Sequence, residues 1–165
     1  MRKENPNMHT SPSKLPPEAR SLVAGALDAR LADGIDLQTQ AKTAHWNLKG
    51  PHFAALHALF DGLASAVLGF NDQIAERAVT LGGRAGGTAR EAARASRLPE
   101  LPAEARRDLE LVRLLADRVD AYLEGVRDAR QVAESAGDAD TVDLLTEVAS
   151  EMEKQGWFLR ATLEG

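Results

Sequence analysis

At 165 residues the chain has the length of one domain with a proper core, and 44% hydrophobic against 27% charged residues is the balance of a globular protein. It contains no cysteine, which excludes disulfides and thiolate metal sites; any metal must be held by His, Asp and Glu, donors that suit iron, manganese or zinc. A formal net charge of -5 argues against a globular surface made for nucleic acid. The start of the chain has no long apolar run and no stretch of about 18 apolar residues occurs, so neither a signal peptide nor a membrane span is expected and the cytoplasm is the expected location.

The seven prolines fall in three places: Pro6, Pro12, Pro16 and Pro17; Pro51; and Pro99 and Pro102. Proline interrupts helices, so these are boundaries, and the stretches between them show helical periodicity with little strand alternation. Residues 1–17 are polar and proline-rich and read as a flexible tail. A first helix is predicted over about 17–48, with Leu27, Leu31, Ile35 and Leu37 on its apolar side. Lys49-Gly50-Pro51 stops it and restarts a second helix over about 52–81, which Gly82-Gly83 ends. A short helix is predicted over 89–96 and a third long one over about 103–135, carried by Val112, Leu115, Val119, Tyr122 and Val126. After Gly137 a fourth follows, capped by Asp138 or Asp140, with Leu144, Leu145, Val148, Met152, Phe158 and Leu159 buried. Four long amphipathic helices without strands make an all-α four-helix bundle over 18–165, with a short extra helix between helices two and three.

Residues 45–76 hold the chemistry. Three of the four histidines lie here, and His57 with Asp61 and Asp72 with Glu76 are spaced i,i+4, so that each pair shares a helix face and can converge on one ion. A single such pair is more commonly a solvated surface. His57 and Glu76 are also separated by about 28 Å of helix rise, so the two pairs cannot meet along one helix. They meet if two copies of the second helix pack antiparallel about a two-fold axis. The pairs are placed symmetrically about the midpoint between Ala66 and Val67, which sets His57 opposite Glu76 of a mate and Asp61 opposite Asp72, across the small residues Ala64, Ser65, Ala66 and Gly69. No Glu-x-x-His motif occurs, which argues against a di-iron centre inside one bundle.

The run Ala44-His45-Trp46-Asn47-Leu48-Lys49-Gly50-Pro51, then Leu56-His57-x-x-Phe60-Asp61, then Asp72-x-x-Ala75-Glu76-Arg77 and Leu81-Gly82-Gly83, resembles the signature of the Dps family, the ferritin-like DNA-binding proteins from starved cells. Gly137-Asp138 with Thr141, Asp143, Leu144 and Leu145 resembles the start of that family's fourth helix. The resemblance implies a ferritin-like subunit of a hollow dodecamer. It implies a ferroxidase that oxidises Fe(II) with hydrogen peroxide, or dioxygen, at centres shared between subunits and stores the Fe(III) as mineral, without releasing hydroxyl radical near DNA. By the same resemblance His45, His57 and Asp61 are the iron ligands of one subunit, Asp72 and Glu76 those of its two-fold mate, and the iron centre holds one ion or two. Trp46 is placed beside the site, either packing there or donating an electron to a stray oxidant. Glu134, Asp138 and Asp143 match the acidic lining of an iron-entry pore, although Asp138 also suits a helix cap.

His52 stands where the family more often has Asn; it is an extra metal ligand, a zinc site or a solvent-exposed histidine. His9 with an acid such as Glu4 would offer a second tail site. Direct DNA binding has little support, since the tail cations Arg2, Lys3 and Lys14 are offset by Glu4 and Glu18. The alternatives to an iron-oxidising storage enzyme are a nucleoid-associated DNA-compacting protein and a redox-inert zinc bundle.

Overall fold

A computed structural model describes residues 8–164. The described residues form five helices and no strand: α1 (Pro17–Asn47), α2 (Phe53–Thr80), α3 (Ala89–Ala95), α4 (Asp108–Ala136) and α5 (Ala139–Leu163). The four long helices make the bundle, with α1 packed chiefly on α2 and α4, α4 on α5, and the short α3 laid against α1. The core is continuous through Leu27, Leu37, Phe60, Leu63, Ile74, Leu115, Tyr122, Leu145 and Met152, all 1% exposed or less. Full burial of one such side chain contributes roughly 1.5–3 kcal/mol. The apolar residues predicted for the third long helix are all buried, whereas Phe158 on α5 is 37% exposed and lies tilted at 46° beside the exposed Trp157.

Proline and glycine mark the helix ends as the sequence indicates. Pro17 opens α1, Gly137 closes α4 in the left-handed region at φ 72°, and Asp138 caps α5 by accepting from Thr141 N (3.3 Å). The third long helix starts at Asp108 and not near 103. Residues ahead of it are engaged with the α1–α2 corner: Lys49 N donates to Arg106 O (2.7 Å) and Asp108 N donates to Lys49 O (3.1 Å). Side chains fasten the 96–100 segment to α1. Asp33 accepts from Arg97 N (2.8 Å), Asp36 from Ser96 Oγ (2.6 Å), and Gln40 Nε2 donates to Pro99 O (3.0 Å).

Residues 8–16, expected to belong to a flexible tail, lie along the end of α2. His9 N donates to Gly82 O (2.7 Å) and Ser11 Oγ to Thr80 O (2.6 Å). Arg2, Lys3, Glu4 and Pro6 lie outside the described residues. No membrane-length helix is expected from the sequence, yet α2 is long and apolar enough to cross a bilayer by length and composition. In the fold, α2 buries one side in the bundle through Leu56, Phe60, Leu63, Val67, Phe70 and Ile74.

The α1–α2 corner hangs on Asp108. Its carboxylate accepts from His52 N (3.0 Å), His52 Nδ1 (2.9 Å) and Leu109 N (2.9 Å). Gly50 passes so close, at φ 148°, that a Cβ there would overlap that carboxylate. The His52 backbone N–H is the main cause that holds the Asp108 carboxyl below the usual carboxylate range. A depressed folded-state pKa gives stability that is present above the unfolded value, near 4, and lost as pH falls through the lower folded one. Asp108→Asn is therefore expected to be less stable than wild type in urea at pH 7, with the gap narrowing below about pH 4. Equal stability at pH 7, or a gap unchanged under acid, would contradict this role.

Candidate metal centre

His45 and His57 face each other across the α1–α2 corner. His45 is in the last turn of α1, where backbone carbonyls have no intrahelical donor. His57 Nδ1 supplies one, lying 2.9 Å from His45 O, and His45 Nδ1 lies 2.7 Å from His57 O. A carbonyl oxygen can only accept, so each Nδ1 carries a hydrogen, the tautomer that puts the lone pair of a neutral imidazole on Nε2. A backbone carbonyl on one ring nitrogen is the arrangement that orients a metal-binding imidazole. The rings are stacked, centroids 3.6 Å apart and planes 22° from parallel. Phe53, the first residue of α2, extends the stack with its centroid 5.0 Å from His57.

Asp61 lies one turn beyond His57, partly exposed, and Lys42 lies one turn before His45 on α1. Lys42 Nζ donates to Asp61 Oδ1 at 2.6 Å. That hydrogen bond, ahead of the charge attraction of the same Lys42, holds the Asp61 carboxyl below the usual range and keeps it an anion. The sequence pointed to neither Lys42 nor Phe53. Lys42 had a usable signal, its i,i+3 spacing from His45 on one face; Phe53 had none beyond its i,i+4 spacing from His57.

Asp72 and Glu76 are exposed on the far part of α2, apart from the histidines. Among the described residues, no three His, Asp or Glu side chains gather where they could hold one ion. The exposed residues of α2 form one stripe that passes Ala58, Gly62, Ser65, Leu68, Gly69, Asp72 and Glu76. The small residues on it are Ala58, Gly62, Ser65 and Gly69; Ala64 points into the core, 1% exposed, and at the centre Leu68 stands 58% exposed. A Cβ at Gly62 or Gly69 would meet nothing within 4 Å, so both leave open room on this side. Trp46 is 69% exposed at the end of α1, and thus does not pack inside its own chain.

Of the remaining candidates, His52 and Asp138 serve structure in the isolated chain. Half-exposed His52 gives its Nδ1 to Asp108, and no cluster of ligands forms around it. Asp138 is 3% exposed; it accepts from Thr141 Oγ1 (2.6 Å) and pairs with Arg77 (2.6 Å), which joins the end of α2 to the start of α5. Its cap is thus in place, and the exposed carboxylates nearby are Asp140 and Asp143, with Glu134 near the end of α4 paired loosely to Arg130 (3.8 Å). His9 gives its backbone N–H to Gly82.

The sequence matches the family described as a ferritin-like domain over residues 24–165. The "DNA protection during starvation protein" of Agrobacterium fabrum is 35% identical over 156 residues, 94% of this chain and 96% of that protein. Among solved structures, DpsC from Streptomyces coelicolor superposes with a TM-score of 0.91 at 32% identity, covering 95% of this chain and 92% of that one. A Dps protein from Vibrio cholerae O1, described as a member of a broad superfamily of ferritin-like diiron-carboxylate proteins, superposes with a TM-score of 0.84 at 27% identity, covering 88% and 91%.

Proposed function

The chain belongs to the Dps family of ferritin-like proteins, and from that premise we propose that it oxidises Fe(II) and stores the Fe(III) product, protecting the cell against peroxide. The observation that carries this reading is the locked pair of His45 and His57, each with Nε2 left for a metal, beside the anionic Asp61. Two imidazoles with carboxylates form a mixed donor set that fits iron: imidazole holds Fe(II), and carboxylate favours the harder Fe(III). Asp72 and Glu76 of a second subunit complete the set, and the exposed stripe of α2 supports antiparallel pairing of two copies. A site closed by a second chain leaves coordination positions for the oxidant. Peroxide takes one electron from each of two Fe(II) ions and, with two protons, leaves as two waters.

We place this site in a dodecameric shell, with Glu134 and Asp143 on the route of entry and Asp138 fixing the helix that presents it. The native mass should be twelve times the 17.7 kDa of one chain. Cytoplasmic action follows from the same reading. Protection by coating DNA has weaker support here, as the net charge is -5 and Lys14 is the one described cation of the tail. Stopped-flow oxidation of Fe(II) by peroxide and by dioxygen, run beside a gel shift with duplex DNA at low and moderate salt, separates the two. The iron reading expects fast oxidation by peroxide, slower by dioxygen, and no shift at moderate salt. Oxidation no faster than in protein-free buffer, with a shift that persists, would favour the DNA reading.

A further inference from the structure

Four buried polar atoms among the described residues find no hydrogen-bonding partner in the chain. Three of them gather inside the bundle: Arg30 Nε on α1, Asn71 Oδ1 on α2 and the Tyr122 hydroxyl on α4, on side chains of residues that are 5%, 6% and 0% exposed. Arg30 and Gly34 share a face of α1, one turn apart. Gly34 is where the other two meet: a Cβ there would lie 2.0 Å from Asn71 Oδ1 and 3.3 Å from the Tyr122 hydroxyl. The two oxygens therefore lie within roughly 5 Å of each other without bonding directly, and one small molecule at two ordinary hydrogen-bond lengths spans such a gap. Burial pushes the Tyr122 phenol up, so it stays neutral and keeps a hydrogen to give.

The donors and acceptors select the molecule. Asn71 Oδ1 only accepts, Arg30 Nε only donates, and the phenol does both. The amide oxygen disfavours an anion, and the guanidinium disfavours a metal ion. Nor does the site need a counter-ion: Asp33 Oδ2 lies 3.1 Å from Arg30 and 3.2 Å from Arg97, and the charge of Asp128 also acts on Arg30. Water fits, since it both gives and takes hydrogens, and buried water commonly answers polar atoms that the chain leaves unpaired. We propose that a water molecule is built into the core at Gly34, bound between Asn71 and Tyr122 with Arg30 beside it. It ties α1, α2 and α4 together at one level and fixes the rotation of α2 about its own axis. Gly34 belongs to the same site, because a side chain there would push the Asn71 amide out of it.

High-resolution diffraction from crystals of the wild-type protein should show ordered density about 2.8 Å from both oxygens, a measurement that does not depend on any variant folding. Tyr122→Phe removes only the hydroxyl. With water bound there, the variant leaves it short of a partner, and the unfolding constant in urea should rise about 10-fold. An unbonded hydroxyl would instead make the phenylalanine variant as stable as wild type or more so, because a buried orphan is lost. Asn71→Leu keeps the size of the side chain and drops its acceptor. Combined with Tyr122→Phe it should cost less than the two single effects multiplied, since both groups act through the same water. A dry site in wild-type crystals, a Tyr122→Phe variant at least as stable as wild type, or single effects that multiply in full would each overturn the proposal.

Discussion

Replacing both His45 and His57 with alanine should lower the rate of Fe(II) oxidation by peroxide about 100-fold or more, toward the protein-free rate, because both metal-binding imidazoles disappear. The histidines also bond to each other's carbonyls, so the loss must be separated from unfolding. A hydrogen bond contributes a net ~0.5–1.5 kcal/mol, so losing two leaves a domain of ordinary stability folded. The double variant is therefore expected to keep its helical circular dichroism and native mass while losing activity. Wild-type rates in a correctly assembled double variant would sink the enzyme reading.

Activity should return when two inactive variants are assembled together. His45→Ala/His57→Ala removes the histidine half of the centre, and Asp72→Ala/Glu76→Ala removes the carboxylate half; each should be inactive alone. In particles formed by co-expression in equal amounts, half of the two-fold pairs combine one of each. Every mixed pair holds one centre with all its donors and one stripped of both halves, so about a quarter of wild-type activity is expected. Mixing the variants after assembly should restore nothing. If co-expression also restores nothing, the centre is not shared between chains. Asp72 and Glu76 are exposed on α2, so their truncation removes no core contact, and the stability of this variant should stay close to that of wild type.

The helices were legible because punctuation and periodicity are local signals. Pro17, Gly82 and Gly137 sit where helices begin and end, and Val112, Leu115, Val119 and Val126 keep one face. The start of α4 was not legible, because 103–107 is helix-compatible in composition and is held out of the helix by Lys49, far away in sequence. Phe158 has the spacing of a core residue, but among the described residues it stays 37% exposed on α5. At the site, spacing singles out His57 and Asp61 and the resemblance adds His45, while the contact of Lys42 with Asp61 spans nineteen positions and two helices. Likewise, nothing local marks Asp108 as the anchor of the corner, since its partners are His52 and the backbone beside Gly50. Asp138 could be read as cap or pore lining; Arg77, again distant, donates to Oδ1, the same oxygen that accepts from Thr141 N.

If, as proposed, exposed carboxylates on one chain complete histidines on another, iron and quaternary structure become thermodynamic partners. By linkage, whatever factor pairing adds to metal affinity, metal adds to the affinity of pairing. In that arrangement a newly made chain, alone at low concentration, would hold its rings and Asp61 ready but lack the carboxylates of a mate. Oxidation would then start only after a second copy arrives, and a metal-filled assembly would resist dilution better than an empty one. Such a dependence on the neighbour would act as a safeguard, since a lone subunit would not run the iron reaction in the open.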